Sequence, residues 1–259
     1  MIKIMKAQFF KLRRDKISII TFIGILLVSL AIVMMLADTS VSNVERTGGE
    51  EALSTLSLFY LIGQFFMFIV TAQICGADFV DKTCNYEIMS GHTRAQVFLG
   101  KAVTAIIAGT IGTMIIIAVP PVVEAIILGW GDKVSFGDFL LRYFLMAFPI
   151  ARIICEYILL TFLIKNPYIV MGVSYILIIL LGIVTPVGST NNYVLGLTNM
   201  GMLAKVDMWT SFGLGGDIYY IYLTELPPDQ IITTIVVSLA VGAAALFLGY
   251  MFFKNDDMN

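Results

Sequence analysis

The chain has 259 residues, 59% of them hydrophobic and only 13% charged, whereas an ordinary soluble domain is roughly 45–50% apolar with glycine counted and about 25% charged. The apolar residues fall in blocks of about twenty, the length that crosses a bilayer core, which excludes a soluble enzyme, a nucleic-acid-binding domain and a disordered tail. A net charge of −2 implies no polyanionic partner, three cysteines without a CxxC give no paired framework, and one histidine, His92, cannot build a multi-histidine metal site.

Taken in chain order, residues 1–16 come first. Ile2, Met5, Phe9 and Leu12 line one helical face, and lysines and arginines occupy much of the rest. The pattern predicts an amphipathic interfacial helix in the headgroup plane, its basic side chains near anionic lipid. It reads as a topology anchor, as a lever on the first span, or as both. Six spans are predicted, at about 17–37, 54–76, 102–128, 139–164, 168–187 and 230–253. The first is too long for a signal peptide and lacks an A-x-A site.

Between the spans, residues 38–53 form an acidic outer loop, residues 77–101 an inner loop and residues 129–138 a short outer link. Lys165-Asn166-Pro167 makes a tight inner turn, because proline starts a helix well and continues one badly. Residues 188–229 are the longest outer segment, rich in Gly, Asn, Thr and Tyr, with pieces too short to span. With the amino terminus inside, eleven Lys and Arg lie in inner segments and three in outer ones, which places both termini in the cytoplasm. The predicted fold is therefore a single all-α transmembrane domain over 1–259, with six transmembrane helices.

Charges inside the spans are costly and usually face a bundle interior. Glu124 follows Pro120-Pro121, which should kink the third span, and it lies near the outer edge where it faces water or the interior. Arg142, Arg152 and Glu156 lie in the fourth span. Arg152 and Glu156 are four residues apart and share a face, as do Asp138 and Arg142. These charges read as self-neutralised structural pairs or as contacts to a substrate or gate, and Arg142 is also placed to snorkel outward. Gly109 with Thr113, and Gly242 with Ala245 and Gly249, offer small faces for close helix packing.

The inner loop carries the most specific pattern. Asp78-Phe79, Thr83 four residues beyond the Phe, Arg94 eleven after the Thr, and Gly100-Lys101 stand at fixed spacings. Thr83 is placed to cap a short helix and Ser90-Gly91 to end it. Gly100-Lys101 approaches a phosphate-binding loop, but Ala95 and Ala102 stand where that motif needs Gly and Ser or Thr. Glu50-Glu51, in an outer loop with no assisting histidine, gives no hydrolase site, and no H-E-x-x-H occurs.

On these residues the chain resembles the permease subunits of type-2 ABC transporters, although Gly91-His92-Thr93-Arg94 stands where that family often has Pro-x-Ser-Arg. The resemblance implies a coupling segment that docks on a separate ATPase subunit. Asp78, Phe79, Asp81, Thr83, Glu87, Gly91, His92, Arg94 and Lys101 would carry that docking. It implies no cofactor on this chain, with ATP and Mg on the partner ATPase, and a second permease chain, identical or different. By size and short loops the chain is similar to bacterial lantibiotic-immunity and bacitracin-resistance permeases. That implies a bacterial plasma-membrane exporter of antimicrobial peptides or other amphiphiles, and no enzyme activity of its own. A stand-alone secondary transporter or channel, with Arg152/Glu156 as its site, is the alternative. A scaffold or sensor subunit is a third.

Overall fold

The computed structural model describes residues 2–43, 48–80, 83–132, 134–187 and 228–255, and among them the chain is helical with no strand. Nine helices are described: α1 (Ile2–Arg14), α2 (Lys16–Asn43), α3 (Gly48–Val80), α4 (Thr83–Met89), α5 (Arg94–Leu128), α6 (Phe136–Leu145), α7 (Ala147–Ile164), α8 (Pro167–Val187) and α9 (Pro228–Lys254). Five segments are long and apolar enough to cross a membrane: Lys16–Met35, Ile62–Val80, Arg94–Leu128, Phe136–Ile164 and Ile231–Lys254. The chain is thus an all-helical, multi-pass membrane protein. In the sixth expected span, at 168–187, the apolar stretch of α8 is described over Pro167–Leu177. Of the expected outer segment 188–229, only Pro228 and Asp229 lie within the described residues, as the start of α9.

The expected outer loop 38–53 is shorter than predicted. Helix α2 runs on to Asn43 and α3 begins at Gly48, because no glycine or proline interrupts the chain between Gly24 and Gly48. Gly48 and Gly49 fit under the carboxyl-terminal end of α5. Their amides donate to the carbonyls of Gly129 and Trp130 at 2.7 and 2.9 Å, and a Cβ on Gly48 would lie 2.5 Å from the Gly129 carbonyl. Trp130 completes this seam, donating from Nε1 to the Val134 carbonyl at 2.7 Å and packing edge-on to Phe136 and Phe139.

Helices α3, α5 and α7 form the centre. In the α3 span window 67% of residues are buried, against 17% in α2, so α3 is a core helix and α2 a peripheral one. Ile20, Ile23, Leu27 and Met35 on α2, and Ile232, Val236, Leu239 and Phe247 on α9, form an exposed apolar surface. Close approach depends on missing side chains. A Cβ on Gly109 would lie 2.8 Å from Ile154 Cδ1, one on Gly63 2.9 Å from Thr113 Cγ2, and one on Gly112 would overlap the Phe66 ring. The expected small face of α9 does meet α7, with Gly242 against Arg152 and Cys155 and Gly249 against Leu159.

The third and fourth spans both carry prolines, with different outcomes. The double proline 120–121 leaves α5 helical through Leu128. The fourth span has a one-residue irregularity at Met146, between α6 and α7, where the backbone stays in the helical region. Pro149 has no N–H to give the Leu145 carbonyl, and its ring crowds that carbonyl. The Met146 amide then shares the carbonyls of Arg142 and Tyr143, at 3.1 and 3.2 Å. The tight turn at 165–167 forms as expected: Lys165 takes a left-handed φ of 57° to close α7, and Asn166 Oδ1 accepts the Tyr168 and Ile169 amides to open α8.

Candidate functional site

The described residues of the loop 77–101 are largely helical, and Asp78, Glu87 and Lys101 turn into the bundle. Asp78, one turn from the end of α3, is 4% exposed. Its Oδ1 meets Lys11 Nζ of α1 at 2.6 Å and accepts from Thr83 Oγ1 of α4 at 3.0 Å. Its Oδ2 meets Lys101 Nζ of α5 at 2.8 Å and accepts from Gln8 Nε2 of α1 at 3.2 Å. Lys101 also pairs with Glu87 Oε2 of α4 at 3.1 Å. Two cations and two carboxylates balance, so the cluster carries no net charge. It joins α1 to the three consecutive helices α3, α4 and α5.

Burial makes this network consequential. A buried ion pair contributes little net stability against apolar residues, yet losing one partner strands the other charge and costs several kcal/mol. Lys101 is 1% exposed, because Asp78 and Glu87 together compensate its desolvation. Cys84 is buried beside it, and burial pushes its thiol above the ordinary value although Lys101 pulls the other way. The thiol is therefore no exposed labelling handle.

Helix α4 has two faces. Thr83 and Glu87 point into the cluster, while Tyr86 and Met89 are 68% and 81% exposed. Its end follows the predicted signal: Gly91 takes φ +92° and donates to the Ile88 carbonyl at 3.0 Å. Thr83 does not cap the helix with its hydroxyl, which goes to Asp78. Thr93 is the cap that matters, since it opens α5 in a reciprocal capping box with Gln96. Arg94 reaches the far end of the chain, donating from Nη1 to the Lys254 carbonyl at 2.6 Å. Such a cation at the end of α9 also suits that helix's dipole. His92 is partly buried in the link between α4 and α5. Asp81 lies outside the described residues.

Phe79 faces the opposite way from Asp78 and enters an aromatic collar. It packs edge-on against Phe162 of α7 at 5.5 Å and Phe253 of α9 at 6.2 Å, and Phe98 of α5 meets Phe162 at 4.7 Å. Tyr250 closes the group against Phe98. The collar joins the same ends of α3, α5, α7 and α9, so neighbouring residues 78 and 79 tie two different sets of helices. Gln8, Lys11 and the collar escape the sequence reading, because only their spatial neighbours mark them. Both Gln8 and Lys11 lie off the apolar face that the spacing marks on α1.

The charges inside the spans pair as their spacing predicts. Arg142 is 1% exposed and its Nε meets Asp138 Oδ2 at 2.7 Å, so it does not snorkel outward. Its carboxylate partner one turn away neutralises it where it is. Arg152 Nε lies 3.4 Å from Glu156 Oε1. Arg152 also lines a largely apolar cavity of about 610 Å³ between α5, α7 and α9, with Thr110, Cys155 and Ser238. Glu124 is 1% exposed, in the bundle rather than toward water. These groups do not join the α4 cluster.

No protein-family model matches the chain, and a comparison with curated proteins finds no similar one.

Proposed function

We propose that the chain is the transmembrane subunit of an ATP-driven exporter of the type-2 ABC class, with both termini in the cytoplasm of a bacterial cell. A separate ATPase subunit supplies ATP and Mg chemistry, and a second permease chain completes the pathway. The expected cargo is a hydrophobic or amphiphilic molecule, with antimicrobial peptides the leading class. One observation carries this reading: α4 offers Tyr86 and Met89 outward while Glu87 and Thr83 bind it to α1, α3 and α5. A short helix held in this way moves with the ends of three longer ones. Force applied to its outer face reaches the spans through buried ion pairs rather than through a slack loop.

The reading predicts separable defects. Tyr86→Ala with Met89→Ala weakens ATPase association about tenfold or more, the size of a modest interface hot spot, and leaves the melting temperature of the chain unchanged. Pull-down of the ATPase by the purified variant measures this, and undiminished binding counts against docking on α4.

A second reading has its own observation. Arg152 beside Glu156 on an apolar cavity is the arrangement that a stand-alone secondary transporter would use for an anion or a proton. Transport by the purified chain without any ATPase would favour it.

A further inference from the structure

A second polar feature adjoins the charge cluster along α1. Between α1 and α3 opens a cavity of about 410 Å³ lined by Gln8, Phe10, Lys11, Leu12, Arg14, Asp15, Gln73 and Ile74. Its cations are only partly committed. Lys11 spends one N–H on Asp78, and its side chain remains 46% exposed. An ammonium has three donors, so two are left for the cavity. Arg14, one turn on, stacks its guanidinium 4.3 Å over the Phe10 ring, which holds the group at the cavity wall.

The acidic residue in the lining is occupied elsewhere. Asp15 caps α2, its carboxylate accepting from the Ile17 and Ser18 amides at 3.3 and 3.0 Å and from the Ser18 hydroxyl. Asp78 is enclosed by its own partners. The open polar surface is therefore cationic.

The place is where lipid headgroups lie. Helix α2 enters its span at Lys16, immediately after the cavity, and Gln73 sits two turns before the end of the α3 span. Phe10, Ile17 and Ile20 are exposed on the same entry turns, 59%, 47% and 68% respectively, and suit acyl chains. Helix α1 packs on the bundle through Ile4 and Gln8. Ile2 and Phe9 stay exposed for lipid as well.

We infer that this cavity is a binding site for one anionic phospholipid, its phosphate held by Lys11 and Arg14. This is narrower than a general attraction of the basic helix to the membrane. It rests on α1 lying at the membrane surface and not on the coupling role, so it is tested on the chain alone.

The experiment is native mass spectrometry of the purified full chain, equilibrated in detergent with equal phosphatidylglycerol and phosphatidylcholine. The expected result is preferential retention of a single phosphatidylglycerol. Arg14→Gln, which leaves the Lys11–Asp78 pair in place, lowers that preference about fivefold, the contribution of one surface cation. Lys11→Gln with Arg14→Gln removes it, while Lys3→Gln with Lys6→Gln leaves it within about twofold. Equal retention of both lipids overturns the assignment. So does an equal loss in the Lys3/Lys6 variant, which would mean diffuse charge attraction, or displacement of the lipid by inorganic phosphate, which would mean a soluble-anion site.

Discussion

Asp78 accepts from four side chains on three other helices and has almost no contact with solvent. Asp78→Asn keeps the shape and removes the charge, leaving Lys101 with Glu87 alone and Lys11 with no carboxylate. The expected cost is about 3 kcal/mol, that of breaking a buried pair. Thermal unfolding in detergent would read it as a lower melting temperature. A cycle with Lys101→Met should show coupling of about 1–3 kcal/mol between the two sites, and additive effects would contradict the network. At this scale the sequence reveals residue types and spacings but not partners. The i,i+4 pairs Asp138/Arg142 and Arg152/Glu156 are legible because helical periodicity alone brings them together. Asp78 with Lys11, 67 residues apart, is not, since only the folded arrangement of α1 and α3 makes them neighbours.

Among the elements, the glycines of α5 decide how closely it meets α3 and α7. Gly112→Ala places a methyl group against the Phe66 ring, and such overpacking costs about 1–3 kcal/mol. Gly172→Ala on α8 meets nothing within 4 Å and should be neutral or slightly stabilising, because alanine is the better helix former. Equal melting temperatures for the two variants would contradict the α3–α5 packing described. Span positions are legible in the sequence, because apolar blocks of bilayer length have few other uses. Helix irregularities are less so. Pro120-Pro121 looks like the stronger disruption, yet α5 carries both prolines while Pro149 alone accompanies the irregularity between α6 and α7. A single chain does not say which freed carbonyls neighbouring groups will satisfy.

For the whole molecule, the ends of the helices near α4 are joined twice, by a buried charge cluster and by an aromatic collar. Arg94 adds a third tie, to the end of α9. Such an end behaves as one body, which suits a protein driven from outside the membrane at that end. The central claim is that the driver is a separate ATPase. The most direct measurement is gentle extraction of the tagged chain from its native membrane, with identification and counting of what comes with it. The account predicts a soluble ATPase at one copy per permease chain, lost when Tyr86 and Met89 are replaced by alanine. A chain that purifies alone and transports without ATP would contradict it.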